Sequence, residues 1–256
     1  MKKVTPRTIK HVLFLLLAGA IAVWSWRGVE FDGSRLMQGM GRAGDTARSM
    51  WPPDWGVLPR ALQALAVTLQ MSIVGTLLGL VFAVPAAFAA ARTSPLPRWV
   101  SSVMKTALNI LRAVPSFIYA TVFVSMVGLG PFPGALGIAI GSFVMLGKMF
   151  AETLEATHPQ PIEAVRAVGG SSLAVLTWGM LPQALPLFVS HLLYAWEVNI
   201  GAATILGFVG AGGLGFELIA EINYYNWQRV SVYVLVLIAM VLLADTFSWR
   251  VRRSMA

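Results

Sequence analysis

Cysteine is missing altogether from this chain of 256 residues. Disulfide frameworks, thiolate metal sites and cysteine nucleophiles are thereby excluded. Histidine is nearly as scarce, and His11, His158 and His191 are too scattered to form a ligand cluster. Charge is thin as well: Asp, Glu, Lys and Arg make up 12% of the residues, where a globular chain carries roughly 25%. The net charge of +8 comes without any long basic run, so the cations read as flanks of apolar stretches rather than as a nucleic-acid footprint. What is there is mostly apolar, 57% hydrophobic residues and 24 glycines, with a mean hydropathy of +0.73. That is more apolar surface than one core can hide from water. The chain reads as an all-α integral membrane protein.

A crossing helix needs about 20 predominantly apolar residues. Six stretches qualify, near residues 9–26, 62–91, 107–129, 132–150, 181–196 and 230–247. The first resembles a signal peptide, with Ala18-Gly19-Ala20 as a cleavage site. Its apolar run continues through Trp24 and Trp26, so it is read as a retained anchor. Lys2, Lys3, Arg7 and Lys10 precede the first span, and Arg250, Arg252 and Arg253 follow the last. The positive-inside rule then places both termini in the cytoplasm. It also places residues 27–60 outside, although that loop carries five arginines nearly balanced by Glu30, Asp32, Asp45 and Asp54. Leu36, Met40, Ala43, Ala47 and Met50 recur there at helical spacing, as in an interfacial helix. Trp51-Pro52-Pro53-Asp54-Trp55 ends it in a corner, since paired prolines cannot extend a helix. No repeat or linker divides the sequence, and residues 1–256 read as a single membrane domain.

Two nucleotide-like patterns fail on inspection. Around Gly141 to Met149 the glycine spacing is too long for a phosphate loop, and Met149 stands where a Mg²⁺-binding hydroxyl belongs. Gly210-Ala211-Gly212-Gly213-Leu214-Gly215 matches the dinucleotide pattern, but no βαβ unit surrounds it. No catalytic constellation is evident, and the chain reads as no enzyme.

The informative segment is the polar stretch 152–180, which carries Glu163-Ala164-Val165-Arg166-Ala167-Val168-Gly169 and leads to Leu181-Pro182. It resembles the cytoplasmic coupling loop of ABC importer permeases, which reads Glu-Ala-Ala-x-x-x-Gly and, after a spacer, Leu-Pro. Glu163, Ala164, Gly169, Leu181 and Pro182 fall on that pattern, while Val165 and Gly179 depart from it. The residues themselves suggest a helix–turn–helix: Pro161 starts a helix, Ile162 and Val165 give its apolar side, and Gly169 makes the turn. The resemblance implies that Glu163, Ala164, Arg166, Gly169, Leu181 and Pro182 couple to an ATPase.

A second stretch, from Glu197 to Gly215, is similar to the phosphonate and phosphite branch of these permeases. That branch usually reads Glu-x-Asn-Val-Arg-x-Ala-Thr and a glycine-rich tail. Glu197, Asn199, Ala203, Thr204, Leu206 and Gly207 fit, whereas Gly201 stands where the branch has arginine. The Trp-Pro-Pro-Asp corner at 51–54 is a further likeness. The resemblance implies a type I ABC importer permease fold and a gate or pathway lined by Glu197, Asn199, Thr204, Gly207, Gly210, Gly212, Gly213 and Gly215. Glu197 has two readings, pairing or gating in the pathway, or capping the fifth helix at the outer interface. The small residues from Gly201 to Gly215 suit either a gate between two subunits or packing within one. Arg112 either meets an anion in the pathway or snorkels to the headgroups. Asn109, Pro115, Ser116 and Asp245 are ambiguous in the same way.

The function implied is the permease of a bacterial inner-membrane importer for a small phosphorus oxyanion, working by alternating access. Expected partners are a second copy of the chain, two ATPase subunits, an external binding protein and the lipid bilayer, with no nucleic acid. Expected cofactors are none in this chain, with ATP and Mg held by the ATPase subunits. The alternatives are a permease for another small solute such as an amino acid, or a secondary transporter, which would show inverted repeats.

Overall fold

The computed structural model describes residues 6–29, 32–94 and 96–255. Lys2, Lys3, Glu30 and Ala256 lie outside the described residues. Where the sequence suggests one domain, the packing divides the chain into two units, Met1–Ser49 and Met50–Ala256. The first holds α1 (Pro6–Gly28), with an apolar surface that includes exposed Trp24, and α2 (Gly33–Ser49). α2 begins where the Asp32 carboxylate accepts hydrogen bonds from the Ser34 and Arg35 amides at 2.9 and 3.2 Å, the usual role of aspartate at a helix start. These contacts and the Ser34 hydroxyl hold the Asp32 carboxyl below its ordinary pKa.

The second unit opens at the Trp-Pro-Pro-Asp corner, where the Trp51–Pro52 peptide is cis. Asp54 accepts from the Gly56 amide at 3.0 Å and from Arg229 Nε at 3.1 Å, while its own amide donates to the Gln228 carbonyl at 3.0 Å. The corner therefore fastens the start of α3 (Leu58–Ala90) to the start of α11 (Trp227–Met255). Between them run α4 (Arg98–Arg112), α5 (Ser116–Val127), α6 (Pro131–Glu155), α7 (Pro159–Ala167), the single turn α8 (Ser172–Ala174), α9 (Leu181–Leu206) and α10 (Gly213–Asn223).

α6 is the central helix. Gly75 and Gly79, one turn apart on α3, face Ile138 and Ser142 so closely that a Cβ at either position would overlap α6. Such small-residue spacing lets two helix backbones meet in a bilayer, where dispersion contacts replace the hydrophobic drive of water. Gly137 does the same against Ala120 of α5. Leu146, Phe150 and Leu154 of α6 are buried with Ala83, Ala87 and Ala90 of α3 and Ala184 and Phe188 of α9. At one end of this core Glu155 Oε1 accepts from Lys105 Nζ at 2.6 Å and from the Arg92 amide at 2.7 Å, joining α3, α4 and α6.

Among the described residues four helices are long and apolar enough to cross a membrane, or six if each bent pair counts as one span. The third expected span is corrected: α4 and α5 meet at 78°, so residues 107–112 belong to a separate helix. The break falls at Pro115, which cannot donate to the helix ladder and disfavours helical backbone in the residue before it. α4 is amphipathic, with Arg98, Lys105 and Arg112 recurring every two turns on one face. The fifth span also runs further than expected, from Leu181 to Leu206.

Candidate coupling loop and translocation core

α7 starts at Pro159, two residues ahead of the expected Pro161. Its start is stapled to α9 by Gln183, whose Oε1 accepts from the His158 amide at 3.0 Å and whose Nε2 donates to the Gly179 carbonyl at 2.6 Å. Its end is a left-handed cap. Gly169 has φ +77°, its amide donates to the Arg166 carbonyl at 3.0 Å, and the Gly170 amide donates to the Val165 carbonyl at 2.9 Å. That pair of bonds satisfies the carbonyls a helix end leaves open, and it needs a residue free of the Cβ penalty.

Ile162 tucks toward the core cluster while Glu163, Ala164 and Arg166 are exposed. Gly179 explains its departure from the family pattern: a Cβ there would stand 3.2 Å from Ile162 Cα, so a large side chain would push α7 off the bundle. The second arm of the loop is no free helix. From Ser172 it passes through a π-helical turn, Val175–Met180, straight into α9, and Leu181 and Pro182 form the first turn of that span. Val168, Leu173 and Trp178 stand exposed here, at 85%, 68% and 76%. Sequence reasoning missed Gln183, Leu173 and Trp178, although an apolar residue inside a polar loop is itself a signal of contact.

Asn199 is buried, and its Nδ2 donates to Thr76 Oγ1 at 2.8 Å and Ser142 Oγ at 2.7 Å. One side chain thus joins α9 to α3 and α6. Thr76 in turn donates its hydroxyl proton to the Ser72 carbonyl at 2.6 Å. Thr204 is buried and donates to the Ile200 carbonyl within its own helix at 3.2 Å.

Glu197 sits well inside α9, which removes the reading of it as a helix cap. Its Oε1 accepts from Arg252 Nη2 of α11 at 2.9 Å, both side chains being partly buried. Gly201, one turn later, has open space where a side chain would begin. The carboxylate that the branch pattern sets one turn before an arginine is here neutralised from another helix.

The glycine run turns the chain back on itself. α9 ends in a π-helical turn, Gly207–Ala211, and Gly210, Gly212 and Gly213 take φ of +92°, +79° and +72°. α10 then folds against α9 so tightly that a Cβ on Gly215 would enter the Thr204 carbonyl, and one on Gly207 would lie 2.5 Å from the Phe216 amide. Thr68 of α3 anchors the turn by accepting from the Leu214 amide at 2.8 Å. The close approach that these glycines permit is made within one chain. Asn199, Thr204 and the glycines Gly207, Gly210, Gly212, Gly213 and Gly215 lie together around the end of α9, while Glu163, Ala164, Arg166 and Gly169 lie around its start with Leu181 and Pro182. The described residues contain no strand around the glycine run and no group of His, Cys, Asp or Glu able to hold a metal ion.

A bundle of long apolar helices, a glycine turn that folds α10 back on α9 and an exposed capped loop entering one span define a membrane transport subunit. Residues 79–255 match the family described as binding-protein-dependent transport system inner membrane component, and the chain belongs to that family. It is 39% identical over 239 residues to the phosphite transport system permease protein PtxC of Stutzerimonas stutzeri, covering 93% of this chain and 86% of that one. It is 38% identical over 207 residues to the phosphate-import permease protein PhnE of Mycolicibacterium smegmatis, covering 79% of this chain and 38% of that one. Among solved structures it superposes on the inward-facing MetNI methionine ABC transporter with a TM-score of 0.71 at 22% identity, covering 79% of this chain and 99% of that chain. The fold is that of a type I ABC importer permease.

Proposed function

We propose that this chain is the permease of an ABC importer for a small phosphorus oxyanion, with phosphite and phosphonates as the leading cargo. The observation that carries the cargo is the likeness to a phosphite permease over 93% of the chain. In this reading two copies of the chain form the pathway, two cytoplasmic ATPase subunits bind ATP and Mg, and an external binding protein delivers the substrate. α7 is the knob that seats in the ATPase, with Glu163, Ala164 and Arg166 on its exposed surface and Val168, Leu173 and Trp178 beside it. Because the second arm of the loop runs from Ser172 without a break into α9 and Gln183 ties the start of α7 to α9, a displacement of α7 is transmitted to the helix that holds Glu197, Asn199 and the glycine turn. Nucleotide binding then rocks the spans between two openings.

The test is reconstitution. The permease with its ATPase subunits and binding protein, in proteoliposomes, takes up labelled phosphite when supplied with ATP, and the permease alone hydrolyses none. Uptake of an amino acid in preference to phosphite and methylphosphonate by the same complex would overturn the cargo.

A further inference from the structure

The 78° elbow between α4 and α5 encloses, with α6, a cavity of about 530 Å³. Two cations reach it, Arg112 from the last turn of α4 and Lys148 from α6, and a single carboxylate, Glu152. Neither cation is in an ion pair among the described residues. Glu152 follows Lys148 by one helical turn, the usual spacing for such a pair, yet among the described residues the acceptor Lys148 finds is Asn109 Oδ1, at 3.5 Å. The contrast with Lys105 is direct, since that ammonium is fully engaged by Glu155 at 2.6 Å.

Lys148 is half-buried and lies two turns before the end of α6, within a candidate membrane span. An ionisable group at such a place is costly unless it faces a partner or a pathway. The rest of the polar wall is Ser116 and Tyr119. The Ser116 hydroxyl has no hydrogen-bond partner among the described residues, and Ser116 begins α5, where the Ile118 amide already donates to the Pro115 carbonyl at 3.0 Å. Tyr119 contributes a phenol whose proton is already given to the Leu111 carbonyl at 2.9 Å. The wall sets two cations, one carboxylate and the Ser116 hydroxyl among apolar residues that include Leu111, Val144 and Met145, and its charged part suits a small, multiply charged acceptor.

We propose that this cavity is an oxyanion-binding station of the permease itself, with Arg112 and Lys148 as the ligands of a tetrahedral phosphorus oxyanion. Guanidinium and ammonium chemistry gives Arg112 the two-pronged contact and Lys148 the point charge, and Ser116 offers the hydroxyl contact. Glu152 on the same wall limits residence, because a station on a pathway must release what it binds. The inference deepens the cargo reading above and rests on it. The same chemistry is offered by the phosphodiester of an anionic lipid, and the free oxyanion is the occupant to which we commit.

The test uses the whole complex in nanodiscs of zwitterionic lipid. Modification of Lys148 by an amine-directed reagent is followed by mass spectrometry, with Lys105 as internal reference. Phosphite or inorganic phosphate is expected to slow modification of Lys148, and chloride at equal ionic strength to leave it unchanged. Arg112→Gln is expected to raise the half-protecting concentration about tenfold or more, the loss appropriate to one charge-assisted contact, and Arg112→Lys to restore part of it. In proteoliposomes Arg112→Gln and Lys148→Gln are expected to lower phosphite uptake while ATPase stimulation by the binding protein persists. Absence of protection, or full protection in Arg112→Gln, overturns the station even if the wild type transports phosphite. Protection by added phosphatidylglycerol and not by phosphite overturns it in favour of a lipid site. Protection in a wild type that fails to transport phosphite keeps the station and discards the cargo.

Discussion

Gly215 and Gly201 lie in the same glycine-rich stretch and have opposite surroundings. A methyl on Gly215 would enter the carbonyl of Thr204, whereas one on Gly201 meets nothing within 4 Å. Gly215→Ala is therefore expected to unseat α10 from α9 and cost roughly 1–3 kcal/mol, as overpacking does. Gly201→Ala should be neutral or slightly stabilising, since alanine favours helix over glycine by about 1 kcal/mol. Thermal unfolding of the purified variants in detergent separates the two; equal midpoints would mean that the close approach is not made. The sequence marked both glycines but not which was which. The same holds for Asn199: an amide in an apolar run announces a buried polar group, yet its partners Thr76 and Ser142 lie 123 and 57 residues away. Nothing local encodes that pairing, because hydroxyls in a span bond their own helix as readily as a neighbour.

The loop that carries α7 is the most legible element, because its turn depends on a local requirement that only glycine meets cheaply. Gly169 was recognised as the turn, and its φ of +77° accounts for it. The start of α7 was misplaced because Pro159 and Pro161 are both acceptable in a first helical turn. The break between α4 and α5 was lost because hydropathy sums composition and is blind to direction; the recurrence of Arg98, Lys105 and Arg112 on one face was the signal available. On the coupling reading, Gly169→Val replaces a favourable left-handed cap with a strained one at a cost of about 1–3 kcal/mol, and Glu163→Lys reverses the charge on the exposed face of α7. Both variants are expected to insert normally, to bind the ATPase subunit weakly and to lose uptake. Copurification and uptake measured in the same membranes distinguish this from misfolding, and normal uptake by both would remove α7 from the coupling path.

At the scale of the molecule, composition suffices for an all-helical membrane protein, while orientation is read from the distribution of cations along the chain. The cations at both ends favour a cytoplasmic position for each, against the five arginines of the loop 27–60. A reporter active only in the cytoplasm is expected to work when fused after Ala256 and to fail when inserted near Gly44; the reverse pair would invert the bundle. On the homodimer reading proposed above, the second copy covers apolar surface that one chain leaves open. α5 is packed on α6 through Ala120, while Phe117, Val122, Met126 and Val127 remain exposed at 48%, 50%, 73% and 58%. α5 also forms the elbow beside the cavity of Arg112 and Lys148, and on the homodimer reading it is the face that meets the second copy. In a homodimer, a tagged copy coexpressed with an untagged copy and the ATPase subunit retrieves the untagged copy, and a cysteine at Val122 crosslinks to its twin. Retrieval of only a different permease would replace the homodimer by a mixed pair and leave this chain supplying half of an unequal pathway.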